Sequence, residues 1–480
     1  MLRMNQVERR LMKAVFSRQE AKVAERLRRD YEQQVFHQVL AAFRHAVKKS
    51  DAYRTFLKQH GVNHRKIDSI EAFLAEVPTI DKETLFGKYS LDKLFSRFTK
   101  TNSGRIWSSS GSSDRLTIGF ESANATPNAL ALDFFLNLFF QTLDRKTLFI
   151  NTLPDGWPIN GRYLHHAHVG TRVDIAIQLL EQLSSDFQQF IVGGEPLLLK
   201  NLVEQATAES FNFSKTPLHL VAGGDYVAAS YKSYMKTLIN PRPAPALPNR
   251  LVSVMGMSEF GVATFFETPG VSELQRRALR NGALAKALSG PYRTVPQLFQ
   301  YDPFTTFVEA RRDETGEYRL VMTNLNTHSE LPLIRYDTGD LGRVFSHADI
   351  IRLLEDLGET APPFRLPLPI VAATGKPRHV DIEQGGRFSV IEGSELIFSH
   401  PTVARHLTGY FRLKGAADGA KTSIALQLKH DTDITAIPGD DIGRLKSAFN
   451  EKGISASFES FDAFPGSIGL RYDRKFNYTE

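Results

Sequence analysis

The stretch Leu331–Val344, LPLIRYDTGDLGRV, most constrains what this chain can fold into. Leu331, Leu333 and Ile334 are apolar enough to bury as a strand, Tyr336 and Thr338 are half-polar, and Gly339-Asp340 predicts a tight bend just past it. A short carboxylate beside a residue without Cβ can accept hydrogen bonds from two vicinal hydroxyls at once, as a ribose would offer. The same pattern also suits a plain Asp-containing turn that ends a strand.

Composition narrows the class. The chain has 480 residues, 42% hydrophobic and 23% charged, which is ordinary for a globular protein of two or three domains. The net charge of +6 fits polyanionic small ligands as well as acidic partners and does not choose between them. Cysteine is absent, which excludes disulfides, thiolate metal sites and any acyl-cysteine intermediate on this chain. The N-terminus lacks a signal-type apolar core, and the apolar run Ala129–Phe140 is broken by Asp133 and Asn137, so the expectation is a cytoplasmic protein with no membrane span.

In order along the chain, Met1–Lys49 carries twelve Lys/Arg against five Asp/Glu. Leu11, Val15, Ala21 and Leu27, then Val35, Val39, Ala42 and Phe43, recur near helical spacing and predict surface helices with a solvated basic face, not a nucleic-acid site. Ser50-Asp51 opens a further helix ended by Gly61, and Val77-Pro78 leads in extended form to an Asp81 cap. A serine-rich run, Ser108–Ser113, sits between apolar Ile106-Trp107 and a strand-like Leu116–Phe120, and small hydroxyl residues of this kind can cradle phosphate. Between residues 120 and 250 helical and strand-like pieces alternate: a helix over Asn128–Leu138, strands over Thr147–Asn151, Leu218–Val221 and Leu251–Val254, and a helix from Ser230. His165, His166 and His168 lack the spaced partners that a metal site needs. A Pro-rich connection, Ala361–Pro369, precedes an α+β remainder with a strand over Phe388–Ile391, helices over Ser394–Ser399 and Asp441–Glu451, and strands near His406–Leu413 and Ser423–Leu428.

Several of these stretches together resemble the adenylate-forming superfamily of acyl-CoA synthetases. Arg335–Leu341 is similar to its RYxTGDL motif, with Pro332 and Arg335 pointing to the phenylacetate-CoA ligase branch. His45, Ser50, Tyr53, Arg54, Pro78 and Lys82 match the opening of that branch. Ser109, Ser110, Gly111, Ser112 and Ser113, with Arg115 in the lysine position, resemble the family's phosphate loop and depart from it at Asp114 and Leu116. Gly223 and Gly224 match its adenine turn, and Met255-Gly256-Met257-Ser258-Glu259 resembles its YGxSE motif with Met255 in place of tyrosine. That motif lies about eighty residues before the RYDTGD element, in the family's order.

The resemblance implies a large α/β domain with parallel and mixed sheets flanked by helices, residues 1–374 with an N-terminal helical segment 1–90, and a small mobile α+β lid, residues 375–480. It implies activation of a carboxylic acid by ATP and Mg²⁺ to an acyl-adenylate, then transfer to coenzyme A. A carrier-protein pantetheine or an amine is an alternative acceptor, and a nucleotide-binding relative without turnover is a further alternative. The implied roles are nucleotide binding at Ser109, Ser110, Gly111, Ser112, Ser113, Gly223, Gly224, Gly256, Tyr336 and Asp340, and Mg²⁺ binding at Glu259. Ser258, Arg115 and Lys475 are the implied catalytic groups, with Arg471 and Arg474 as rivals to Lys475 because Leu470 follows Gly469 where the family has lysine. Trp157, Met255 and Phe260 would line the acid pocket.

Overall fold

The computed structural model describes residues 6–29, 31–95, 104–108, 118–122, 129–154, 161–240, 249–257, 259–290, 295–326, 331, 333–376, 378–383, 386–416, 421–464 and 476–479. Two compact units form, Met1–Phe134 with Val254–Lys376, and Phe135–Ser253 with Pro377–Glu480.

In the first unit the helices Gln6–Arg28, Tyr31–Lys49, Asp51–Gln59 and Ile70–Glu76 follow one another, with Ser50 and Ser69 accepting backbone N–H groups at the starts of the last two. Val39, Phe43, Tyr53, Phe56 and Phe73 from these helices bury against Leu333, Ile334 and Tyr336. The unit's sheet is antiparallel: Thr306–Arg312, Tyr318–Asn324, Tyr336–Phe345, Ile370–Gly375, Gln297–Gln300, Gly261–Phe266 and the end of Leu251–Met257 pair in that order. Pro269–Ala278 and Gly282–Ser289 cover one face through Val271, Leu274, Leu284 and Leu288.

In the second unit the strands His165–His168, Thr147–Asn151, Gln189–Gly194, Leu218–Ala222 and the start of Leu251–Met257 run parallel, with helices between them in sequence. Thr147–Asn151 and Gln189–Gly194 are buried at every residue, around the apolar runs Leu148–Ile150 and Phe190–Val192, as strands covered on both faces require, whereas the edge strand His165–His168 is partly exposed. The C-terminal part is α+β: Leu407–Lys414 pairs antiparallel with Ser423–Leu428, which pairs in parallel with Ser455–Glu459. It shares one core with the parallel sheet, in which Leu198, Leu202, Tyr231, Phe398 and Phe411 are all buried. The Ala229–Ile239 helix has no capping side chain of its own, and the Glu395 carboxylate accepts Ala229 N at 2.7 Å and Ser230 N at 2.9 Å instead. Lys200, 1% exposed, donates to Glu204 at 2.8 Å and to the Leu407 carbonyl at 2.7 Å, and Lys429 meets the same Glu204 oxygen at 2.8 Å.

The α/β architecture with a mixed sheet and a C-terminal α+β region is the one expected. Local departures have physical causes. Leu331, Leu333 and Ile334 are buried but form no strand; the strand starts at Tyr336 and carries Asp340 inside it, because Arg335 takes φ +51 and turns the chain. The helix expected at Ser394 starts at Val390, where Ser389 and Glu392 form a capping box. Of the apolar set Leu11, Val15, Ala21 and Leu27, Leu27 buries, whereas Leu11 and Val15 are 61% and 44% exposed, and Phe16, outside that set, buries.

Candidate functional site

The Tyr336–Phe345 strand pairs with Tyr318–Asn324 through a bulge: Arg319 faces Leu341 and Val321 faces Asp337, so Leu320 alone opposes Thr338, Gly339 and Asp340. Gly339 makes this possible at φ +76, a region that costs a side-chain-bearing residue strain. Thr338 Oγ1 donates to the Leu320 carbonyl at 3.1 Å and accepts Asp340 N at 3.1 Å, while Asp337 accepts Gly339 N at 2.9 Å. Asp337 is also held by Arg319 through two bonds, at 2.7 and 3.2 Å. The two carboxylates of the motif are thereby divided: Asp337 fastens the bulge, and half-buried Asp340 is carried at its end.

The Tyr336 ring is buried, and its hydroxyl donates to Glu259 Oε1 at 2.7 Å. Lys82 Nζ lies 4.0 Å from the same oxygen, and the Phe260 ring is 6.1 Å from that of Tyr336. Glu259 sits in the turn joining Leu251–Met257 to Gly261–Phe266, its side chain only 4% exposed. The strand expected to end at Val254 continues to Met257 and so delivers Glu259 to Tyr336. Met255 is half-buried and packs on the core around Phe265 and Phe299, and Gly256 is exposed. The structure therefore brings Tyr336, Glu259, Phe260 and Lys82 together from three separate stretches.

Behind this cluster stands a residue whose role the sequence concealed. Arg335 forms an ion pair with Glu309, Nη2 to Oε1 at 2.9 Å, and donates to the carbonyls of Leu74 and Val77. Burial pushes the Glu309 carboxyl up, and Arg335 opposes that shift. The Arg335 carbonyl accepts Ile80 N at 3.0 Å and the Ile80 carbonyl accepts Asp337 N at 2.7 Å, which places Lys82 two residues beyond the contact.

Gly223 and Gly224 belong to the second unit, directly after Leu218–Ala222. Gly223 N donates to the Gly194 carbonyl at 3.0 Å, and Gly224 adopts φ +98 with open space where a Cβ would stand. Asp225 follows, 3.8 Å from the Arg378 guanidinium. A cavity here is lined by Glu195, Pro196, Asp225, Tyr226, Ser394 and Tyr478, among others. Enclosure of the Glu195 carboxyl, with the Asp225 carboxylate adding repulsion, pushes its pKa up to about 8. Burial likewise pushes the Tyr226 and Tyr478 hydroxyls well up. Only the Gly-Gly-Glu run at 193–195, matching Gly-Gly-Asp at 223–225, signals this pairing of strand ends in the sequence.

No protein-family model matches the sequence, and no curated protein matches it. Solved structures match it in fold. A 2-hydroxyisobutyryl-CoA ligase in its postadenylation state, in complex with R3-HIB-AMP, superposes with a TM-score of 0.64 at 14% identity, over 93% of this chain and 89% of that one. The same ligase in complex with 2-HIB-AMP and CoA, in the thioesterification state, gives 0.53 at 14% identity over 94% and 89%. This chain has the fold of that CoA ligase.

Within that fold, Ser109, Ser110, Gly111, Ser112, Ser113, Arg115, Trp157, Ser258 and Lys475 lie outside the described residues, as do Arg471 and Arg474. Among the described residues no group of three or more His, Asp or Glu side chains is arranged to hold a metal ion by itself. His165, His166 and His168 lie on the short His165–His168 strand, where His168 bonds Asn151 at 3.1 Å. No described helix is long and apolar enough to cross a membrane.

Proposed function

We propose that this protein activates a carboxylic acid with ATP, forming an acyl-adenylate and pyrophosphate, and passes the acyl group to coenzyme A. The observation that carries the reading is the 2.7 Å bond between Tyr336 and Glu259, which unites two motifs 77 residues apart within an adenylate-forming fold. The ligase of the same fold, crystallised with an acyl-AMP and with CoA, supports the choice of substrates.

In this reading the acid's carboxylate oxygen attacks the α-phosphorus of ATP, the bond to the bridging oxygen breaks, and pyrophosphate leaves with the electron pair. Asp340 accepts the ribose hydroxyls, Gly223 and Gly224 let adenine lie on the backbone, and Ser109–Ser113 with Arg115 and Ser258 hold the phosphates. Glu259 offers one carboxylate, which fits Mg²⁺, an ion that takes its remaining ligands from phosphate and water. When bound, Mg²⁺ would neutralise charge developing on the departing pyrophosphate. Lys475, from residues 375–480 acting as the small domain, bridges the attacking carboxylate and the α-phosphate; Arg471 and Arg474 are the alternatives. Trp157, Met255 and Phe260 line the acid pocket. With no cysteine, the chain cannot hold a thioester itself, so the acceptor comes from another molecule.

The test is pyrophosphate release with ATP and Mg²⁺ over a panel of aromatic, aliphatic and hydroxy acids, with and without coenzyme A. Acid-dependent release followed by acyl-CoA formation supports the reading. Acid-dependent release without acyl-CoA assigns a carrier-protein or amine acceptor, and nucleotide binding without release of pyrophosphate overturns it in favour of a non-catalytic relative.

A further inference from the structure

The helix Gln6–Arg28 buries one face and leaves apolar side chains on the other. Phe16 meets Phe134 edge-on at 5.5 Å, Leu27 packs with Leu366 and Leu368, the Arg26 guanidinium lies 3.6 Å over the Phe304 ring, and Glu20 pairs with Arg365. These contacts hold the helix to the first unit and fix which side looks outward. On that outward side Val7, Leu11 and Val15 are 74%, 61% and 44% exposed. They are three of the six large apolar side chains exposed among the described residues, and they fall on one line at a spacing of four.

We propose that this line is a docking seam for an acidic amphipathic helix of another protein. At 100° per residue, the three side chains span about 80° of the helix, the narrow seam by which one helix meets another. A helix lying in a lipid surface needs a broader apolar face with aromatic anchors, and the other exposed residues of this helix are charged, polar or alanine, with no aromatic among them. At helical spacing exposed Arg10 lies beside the seam and exposed Arg18 and Lys22 continue its line, while between Gln6 and Lys22 the exposed acid is Glu8 alone. A second copy of this chain would therefore set cations against cations, whereas a helix with carboxylates beside its apolar stripe meets them with opposite charge. The proposal is independent of the ligase reading, since it uses no residue of that site.

The experiment is calorimetry of the full chain with a synthetic amphipathic helix carrying a leucine seam flanked by glutamate, beside a twin flanked by lysine. Saturable binding of the glutamate peptide alone, weakened about tenfold or more by Leu11→Glu and by Val7→Glu, and weakened by added salt, is expected. Both substitutions lie at exposed positions, and an unchanged melting temperature verifies that each variant is folded. Equal binding of the two peptides, or binding of neither, overturns the proposal. So do capture by phosphatidylglycerol vesicles without peptide binding, and self-association that Leu11→Glu abolishes.

Discussion

Tyr336 donates its hydroxyl hydrogen to Glu259 across 77 residues of chain, and both side chains are almost wholly enclosed. A carboxylate so enclosed depends on its donors, because removing one leaves charge without compensation in a low-dielectric setting. Tyr336→Phe keeps the ring and deletes the bond. Its expected cost is about 1 to 3 kcal/mol in denaturant unfolding. A variant as stable as the parent would mean that Lys82 and solvent compensate fully.

Arg335 and Glu309 form the buried pair behind that bond, with side chains 7% and 11% exposed. Arg335→Ala strands the Glu309 carboxylate and frees the carbonyls of Leu74 and Val77, so a loss of about 3 to 5 kcal/mol is expected. Arg335→Lys should recover only part of it, since an ammonium cannot reproduce the fork. Equal stability of the two variants in urea titrations would contradict the role given to the guanidinium plane.

Stability should fall with rising pH because of Glu195. Its folded pKa, about 8, lies above the ordinary 4.5, so the native state holds a proton that the unfolded chain has released. The group's contribution is fully present below about pH 4.5 and is lost as pH rises through 8. Glu195→Gln removes the titration, and at pH 7 it should exceed the parent by on the order of 3 kcal/mol. Parallel stability profiles for the two proteins between pH 4.5 and 8 would be the opposite result.

Asp340 carries the nucleotide in the proposed function. Asp340→Ala should weaken ATP binding by on the order of 2 to 4 kcal/mol, as loss of a charged acceptor for two hydroxyls does. Calorimetry with ATP and Mg²⁺ measures it, and unchanged affinity would remove Asp340 from the ribose.

Lys475→Ala should slow acyl-adenylate formation about 10²- to 10³-fold while ATP still binds and a supplied acyl-adenylate still reacts. Comparison with Arg471→Ala and Arg474→Ala in the same pyrophosphate assay assigns the cation. A parental rate in Lys475→Ala with a slow Arg471→Ala would transfer the role to the arginine.

Local pattern determined much of this protein. A short apolar run marked Thr147–Asn151 and a strand-like pattern marked Ser423–Leu428 to the residue, and helical spacing marked Val35, Val39, Ala42 and Phe43 as one face, because such patterns record which neighbours along the chain share an environment. Motif order carried the α/β architecture with its C-terminal α+β region. Tertiary structure decided what depends on partners distant in sequence. Tyr336 meets Glu259, Arg335 meets Glu309, and Lys200 meets the Leu407 carbonyl only after the chain has closed large loops, and no local periodicity encodes the partner. The first helix makes the same point. Leu11 and Phe16 read alike as apolar residues, but the side held by Phe134, Leu366 and Arg365 was set by long-range packing, which turned Phe16 inward and left Leu11 facing water.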